Sequence, residues 1–267
     1  MLDLLFNPEK AERHPIEILI IASFYSILSI VLGLWIFKDS TSLAIIFLTT
    51  LSCLYVVQGA IKMEEKKEKN WNDESWLLQQ HKSIAILILM LFLGFTFSFA
   101  MSSFFFPPEI SQTVFEMQGS SVDHIKLITG KATDTTSTIT NIFKNNTKII
   151  LISLVFAIFY GAGAIYIIAW NASVMGFVIG SVARETFGLA ALPISFAKYF
   201  LHGIPEMLAY ILAAIAGGIL YFAFIKGDLT NKDKLKRIIL DTLSLILIAI
   251  LLLLFSAILE VYVSPLI

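Results

Sequence analysis

Five stretches of the chain, Ile18–Phe37, Ser42–Ile61, Ser83–Phe106, Ile149–Trp170 and Thr242–Leu259, are long, apolar and almost free of charge. The hydrocarbon core of a bilayer is about 30 Å thick and an α-helix rises about 1.5 Å per residue, so about 20 apolar residues are needed to cross it. Each stretch is read as a spanning helix. A chain with this pattern has lipid as its main solvent, and with no water to satisfy an open backbone it must be helical wherever it crosses. The fold class is therefore all-α, a polytopic transmembrane helix bundle. The first run starts only after Glu17 and is too long for a signal-peptide core of about 7–15 residues, so no cleavable leader is expected.

Composition agrees with that reading. The chain is 57% hydrophobic with a mean hydropathy of +0.83, and its charged residues, 15% of the total, are bunched into short stretches that read as loops. A net charge of −1 without a basic face argues against a nucleic-acid partner. The single cysteine, Cys53, lies inside an apolar run, so no intrachain disulfide is available.

Between Asn171 and Lys226 the sequence allows either two crossings or a re-entrant hairpin followed by one. Loop charge decides between them. With the N-terminus in the cytoplasm and seven crossings, the Lys62–Lys69 and Lys226–Arg237 clusters both fall inside, whereas a re-entrant hairpin moves the second cluster outside. Seven spans are expected, with the C-terminus outside the cell membrane. The organisation is then an N-terminal two-helix hairpin over 1–62, a charged cytoplasmic linker over 63–82 and a five-span core over 83–267. The outer segment 107–147 opens with Pro107-Pro108 and is expected at the interface through short amphipathic patches. The linker is read as a solvated charged helix with Trp71 and Trp76 as interfacial anchors.

Polar groups inside an apolar body call for a partner or a function, since a charge at a helix centre costs about 2.5–3.5 kcal/mol on insertion scales. Arg184 interrupts the fifth span. Lys198, His202, Glu206 and Tyr210 are spaced by four and would form one stripe on a helix. Gly203 and Pro205 suggest a break in that helix, because proline removes a donor and crowds the preceding turn. A broken helix is also how transporters expose backbone groups to ions. Helical rise places Asn145, Asn146, Arg184, His202, Glu206 and Glu260 at compatible depth in the outer half of the bilayer, though they come from four parts of the chain. Two accounts stand: each group snorkels separately to water, or they form a buried network with Arg184 paired to Glu206 or Glu260.

Gly176 with Gly180, Ala213 with Gly217 and Ala214 with Gly218 are small-residue pairs at the spacing used in close helix packing, within the chain or in a homo-oligomer. Gly161 and Gly163 add a thin face on the fourth span. No zincin, nucleophile-elbow or phosphate-loop motif occurs. No catalytic residue, cofactor or metal is expected; His202, Glu206 and Glu260 offer only the minor alternative of an intramembrane metal-dependent hydrolase.

From about Ser83 to Ile267 the chain resembles the stage II sporulation protein M family. The residues that carry this are Asn141-Ile142-Phe143-Lys144-Asn145-Asn146, Trp170-Asn171 leading to Gly176 and Gly180, His202-Gly203 with Glu206, the Ala213–Gly218 run, and Leu259-Glu260 with Pro265. Leu201 and Ala172 depart from the family's usual Pro and Gly, and the first two spans read as an addition. The resemblance implies a multi-span, non-enzymatic membrane component of a cell-envelope or membrane-remodelling complex, working beside peptidoglycan-degrading partners in spore formers. Membrane lipids and other membrane or envelope proteins are the expected partners. A transporter or channel subunit with a polar site in the outer half of the bilayer is the alternative.

Overall fold

In the computed structural model, residues 14–68, 82–129, 135–160 and 164–266 are described; Trp71 and Trp76 of the linker, and Gly161 and Gly163, lie outside them. The described residues form helices α1 (Pro15–Ile36), α2 (Thr41–Glu68), α3 (Lys82–Phe105), α4 (Pro108–Val114), α5 (Glu116–Thr129), α6 (Thr135–Tyr160), α7 (Ile165–Glu185), α8 (Leu192–Lys226) and α9 (Lys232–Tyr262), with short 3-10 turns between some of them and no strand. Seven of these helices are long and apolar enough to span a membrane. The re-entrant alternative is not what the chain adopts: α7 and α8 are two full-length helices joined by a tight 3-10 turn, Gly188–Ala191.

Local sequence sets several boundaries. Pro15 and Pro108 occupy first-turn positions, where a missing N–H is harmless. Gly227 ends α8 with φ +71°, a left-handed conformation that glycine adopts without strain. The apolar run Ile149–Trp170, read from sequence as one span, is instead divided between two helices. α6 has already ended at Tyr160 and α7 begins at Ile165. Hydropathy alone stays high from Tyr160 to Ile165, where every residue is apolar or small, so it places the run but not its boundary.

The expected break near Gly203-Pro205 is also corrected. α8 is continuous over 35 residues with Pro205 in its interior. Pro205 cannot donate to the Leu201 carbonyl one turn back. The neighbouring His202 carbonyl accepts a hydrogen bond from Ser256 Oγ of α9 at 2.8 Å, so the weakened turn is braced from the adjacent helix.

The helices form two groups. α3 packs along α1 and α7, with α2 against the same group, while α8 packs along α9 and α6; α7 and α8 join the two. The small-residue pairs serve packing inside the chain. A Cβ on Gly176 would lie 2.8 Å from the Thr96 carbonyl oxygen of α3, and one on Gly180 would lie 2.4 Å from that of Ala100. On α8, a Cβ on Gly217 would lie 2.7 Å from the Leu154 carbonyl of α6. Ala213, Ala214 and Gly218 are buried beside it.

The segment after Pro107 does more than lie on an interface. Gln118 of α5 is 0% exposed. Its Oε1 accepts from Ser42 Oγ of α2 at 2.6 Å and its Nε2 donates to Ser173 Oγ of α7 at 3.0 Å. Phe115 packs against the rings of Phe99 and Phe177. α4 and α5 are thus folded into the end of the bundle that carries the α7–α8 turn.

Candidate functional site

A cavity of about 340 Å³ lies between α5, α6, α7, α8 and α9. That places it at the lower end of small-molecule cavities, about 300–1,000 Å³. Five of the six polar residues selected by depth line it: Asn145 and Asn146 from α6, His202 and Glu206 from α8, and Glu260 from α9. Their register explains the meeting. α8 presents His202 and Glu206 one turn apart on one face, and α9, packed along it, presents Ser256 and Glu260 at the same spacing.

Each side chain is held. Tyr210, fully buried one turn beyond Glu206, donates its hydroxyl to Glu206 Oε1 at 2.7 Å. Asn146, 6% exposed, accepts from Asn145 Nδ2 at 3.4 Å and lies within hydrogen-bonding reach of the Glu206 carboxyl. Glu260 faces Glu206 closely enough for their charges to repel. His202 Nδ1 is 2.9 Å from Ser264 Oγ, which ties the ring to the turn following α9. No lysine or arginine occurs among the described lining residues.

Arg184 does not belong to this group. It is one residue from the end of α7, and its Nη1 donates to the Phe106 carbonyl at 2.9 Å. The expected pairing with Glu206 or Glu260 is absent. α7 begins at Ile165, several residues earlier than the sequence reading placed its start, so Arg184 sits nearer the end of the bundle than its inferred depth. There it caps the end of α3 by satisfying a carbonyl beyond the last helical turn.

Asn141, Asn171 and Tyr199 complete the polar lining and were not among the selected site residues. Asn141 lies one turn before Asn145, and Asn171 stands in the stretch that carried the family resemblance, so a signal was present. The remaining wall is apolar, with Ile142, Ile149, Met175 and Met207 among its residues. His202, Glu206 and Glu260 share the cavity, yet among the described residues no three His, Cys, Asp or Glu side chains are grouped as ligands of one ion.

Fold and site together define a multi-pass α-helical membrane protein with a polar chamber between its helices. Within that class the chain belongs to the stage II sporulation protein M family, whose profile matches residues 18–265. The match begins inside the first span, so it takes in the first two spans, which the sequence reading set apart as an addition. The chain is also similar to an uncharacterized protein of Methanocaldococcus jannaschii, 31% identical over 127 residues, which cover 47% of this chain and 70% of that protein. No solved structure matches significantly. The short stretches that carried the resemblance contribute Asn141, Asn145, Asn146, Asn171, His202, Glu206 and Glu260, all of which line the cavity.

Proposed function

We propose that this protein is a non-enzymatic membrane carrier that exchanges protons for a cation at the Glu206–Glu260 cavity. The observation that carries this reading is the pair itself: two carboxyl groups from different helices face each other inside the bundle, with no lysine or arginine in the described lining to pair with them. Two adjacent negative charges in a medium of low dielectric repel strongly and are poorly solvated, so they are neutralised by protons or by a bound cation. Exchange of one for the other leaves the charge of the bundle unchanged, which keeps the cost of moving the loaded site low.

Pro205 stands beside Glu206 and leaves the Leu201 carbonyl without its usual donor. A bend of α8 at this turn would move Glu206 relative to Glu260 and widen the cavity on one side. With the N-terminus in the cytoplasm and the C-terminus outside, as loop charge favours, that side is the outer one. The test is ion-driven proton movement in proteoliposomes loaded with a pH-sensitive dye. Gradients of sodium, potassium or ethylammonium chloride are expected to shift luminal pH with wild-type protein and not with Glu206→Gln or Glu260→Gln. A response equal to that of protein-free vesicles for every cation would refute the carrier.

Family membership supports a second reading, a component of an envelope complex in contact with membrane lipids and other envelope proteins. Here the cavity would fix the bundle, and α4 with α5 would present the partner surface. Recovery of this chain without companions from native membranes in mild detergent would count against it.

A further inference from the structure

We infer that the cation taken by the cavity is a small organic ammonium ion, its nitrogen held between Glu206 and Glu260 and its carbon part against the apolar wall. The inference rests on the cation-exchange reading and names the class of ion.

The balance of donors and acceptors points this way. Asn171 Nδ2 donates to the Ile167 carbonyl of its own helix at 2.8 Å, and Asn145 Nδ2 is directed at Asn146 Oδ1. Each of these amides has one N–H engaged by the protein and a side-chain carbonyl oxygen that can accept from a ligand. The Glu206 carboxyl receives the Tyr210 hydroxyl and has Asn146 within reach, while both oxygens of Glu260 add further acceptors. The site is thus rich in acceptors, and its natural complement is a cation carrying several N–H donors and no acceptor. A primary ammonium has three such donors.

Size and shape argue against a bare inorganic ion. A hard cation takes about six or more oxygens in a tight shell, whereas the described lining of the 340 Å³ chamber supplies two carboxyl groups, and among the described residues no three His, Cys, Asp or Glu side chains are grouped as ligands of one ion. Ile142, Ile149, Met175 and Met207 form an apolar wall that gives a naked ion nothing and gives a short alkyl chain van der Waals contact. Methionine, with its flexible and polarisable side chain, fits irregular alkyl groups.

The experiment is calorimetric titration of the full chain in detergent micelles with ethylammonium chloride, putrescine dihydrochloride and sodium chloride. Wild type is compared with Glu206→Gln, Glu260→Gln and Glu185→Gln, the last an exposed carboxylate at the end of α7. Saturable binding of ethylammonium or putrescine is expected, weakened about tenfold or more by either cavity substitution and unaltered by Glu185→Gln. A hundredfold excess of sodium is expected to leave it unchanged. Effective competition by sodium, or binding of sodium alone, would overturn the organic ligand while leaving cation exchange intact. Absence of binding by all three salts, together with silent proteoliposomes, would overturn both. The competition arm uses wild-type protein only, so it decides the question even where a glutamine variant fails to fold.

Discussion

Tyr210 and Glu206 are joined by a 2.7 Å hydrogen bond across one turn of the same helix, with the phenol donating to the carboxyl. The bond fixes the Glu206 side chain in the rotamer that faces Glu260, and the tyrosine has no exposed surface of its own. Tyr210→Phe keeps the ring and removes the donor. It is expected to lower stability by about 1 kcal/mol, read as a modest fall in the melting midpoint in detergent. Ion-driven proton movement is expected to slow several-fold without being abolished. An unchanged rate would show that Glu206 needs no such support.

Gly203 offers a way to narrow the cavity without touching its polar groups. A Cβ there would lie 2.1 Å from Met175 Cε, the mobile end of a side chain that lines the chamber. Gly203→Ala is therefore expected to push Met175 into the cavity while the helix gains up to about 1 kcal/mol of propensity. Ion exchange should fall with the melting midpoint held or raised. The double variant Gly203→Ala with Met175→Ala should recover activity, and failure to recover would place the fault in the backbone of α8.

Gly176 and Gly180 face a different obstacle, because the atoms a new Cβ would meet include the backbone of α3. Gly180→Ala is expected to lower stability by about 1–3 kcal/mol as α7 is forced away from α3. Gly119→Ala, whose Cβ would meet only the Phe177 ring at 3.7 Å, serves as the tolerant comparison. Equal melting curves for the two variants would contradict the packing described for α3 and α7.

Gln118 bridges Ser42 and Ser173, and Ser173 Oγ donates onward to the Trp170 carbonyl at 2.7 Å. Gln118→Leu takes the acceptor from the Ser42 hydroxyl and the donor from Ser173 Oγ, at a cost of about 1–3 kcal/mol. Combined with Ser173→Ala it should be less destabilising than the separate losses added together, since the two residues share one interaction. Strict additivity, measured by thermal unfolding of the four proteins, would mean the bridge contributes nothing.

Much of the fold was legible because hydrocarbon imposes so few solutions. Length and apolarity located the spans, and the placement of basic loops separated two crossings after Asn171 from a re-entrant hairpin. The same physics brought Asn145, Asn146, His202, Glu206 and Glu260 together on depth alone. Arg184 escaped it because depth was counted from a helix start placed too late, and its actual place at a helix end lets a long side chain satisfy a carbonyl there. Asn171 was harder to single out as a site residue because an amide can satisfy part of its hydrogen bonding on its own helix, so its presence in a span calls for no explanation. Gln118 gave no signal either, standing in a polar segment that composition assigns to the surface. The proline at 205 misled because its effect depends on a neighbour: Ser256 braces the adjacent carbonyl, and nothing in the local sequence of α8 reveals a hydroxyl on α9.

The central claim is that Glu206 and Glu260 trade protons for a cation in one shared chamber. The most direct measurement is proton release from purified protein in weakly buffered detergent solution, followed with a pH electrode as sodium, potassium or ethylammonium chloride is added. The account predicts a saturable release for at least one of these cations that disappears in the Glu206→Gln/Glu260→Gln double variant. A release of the same size from wild type and double variant, for every cation, would contradict it.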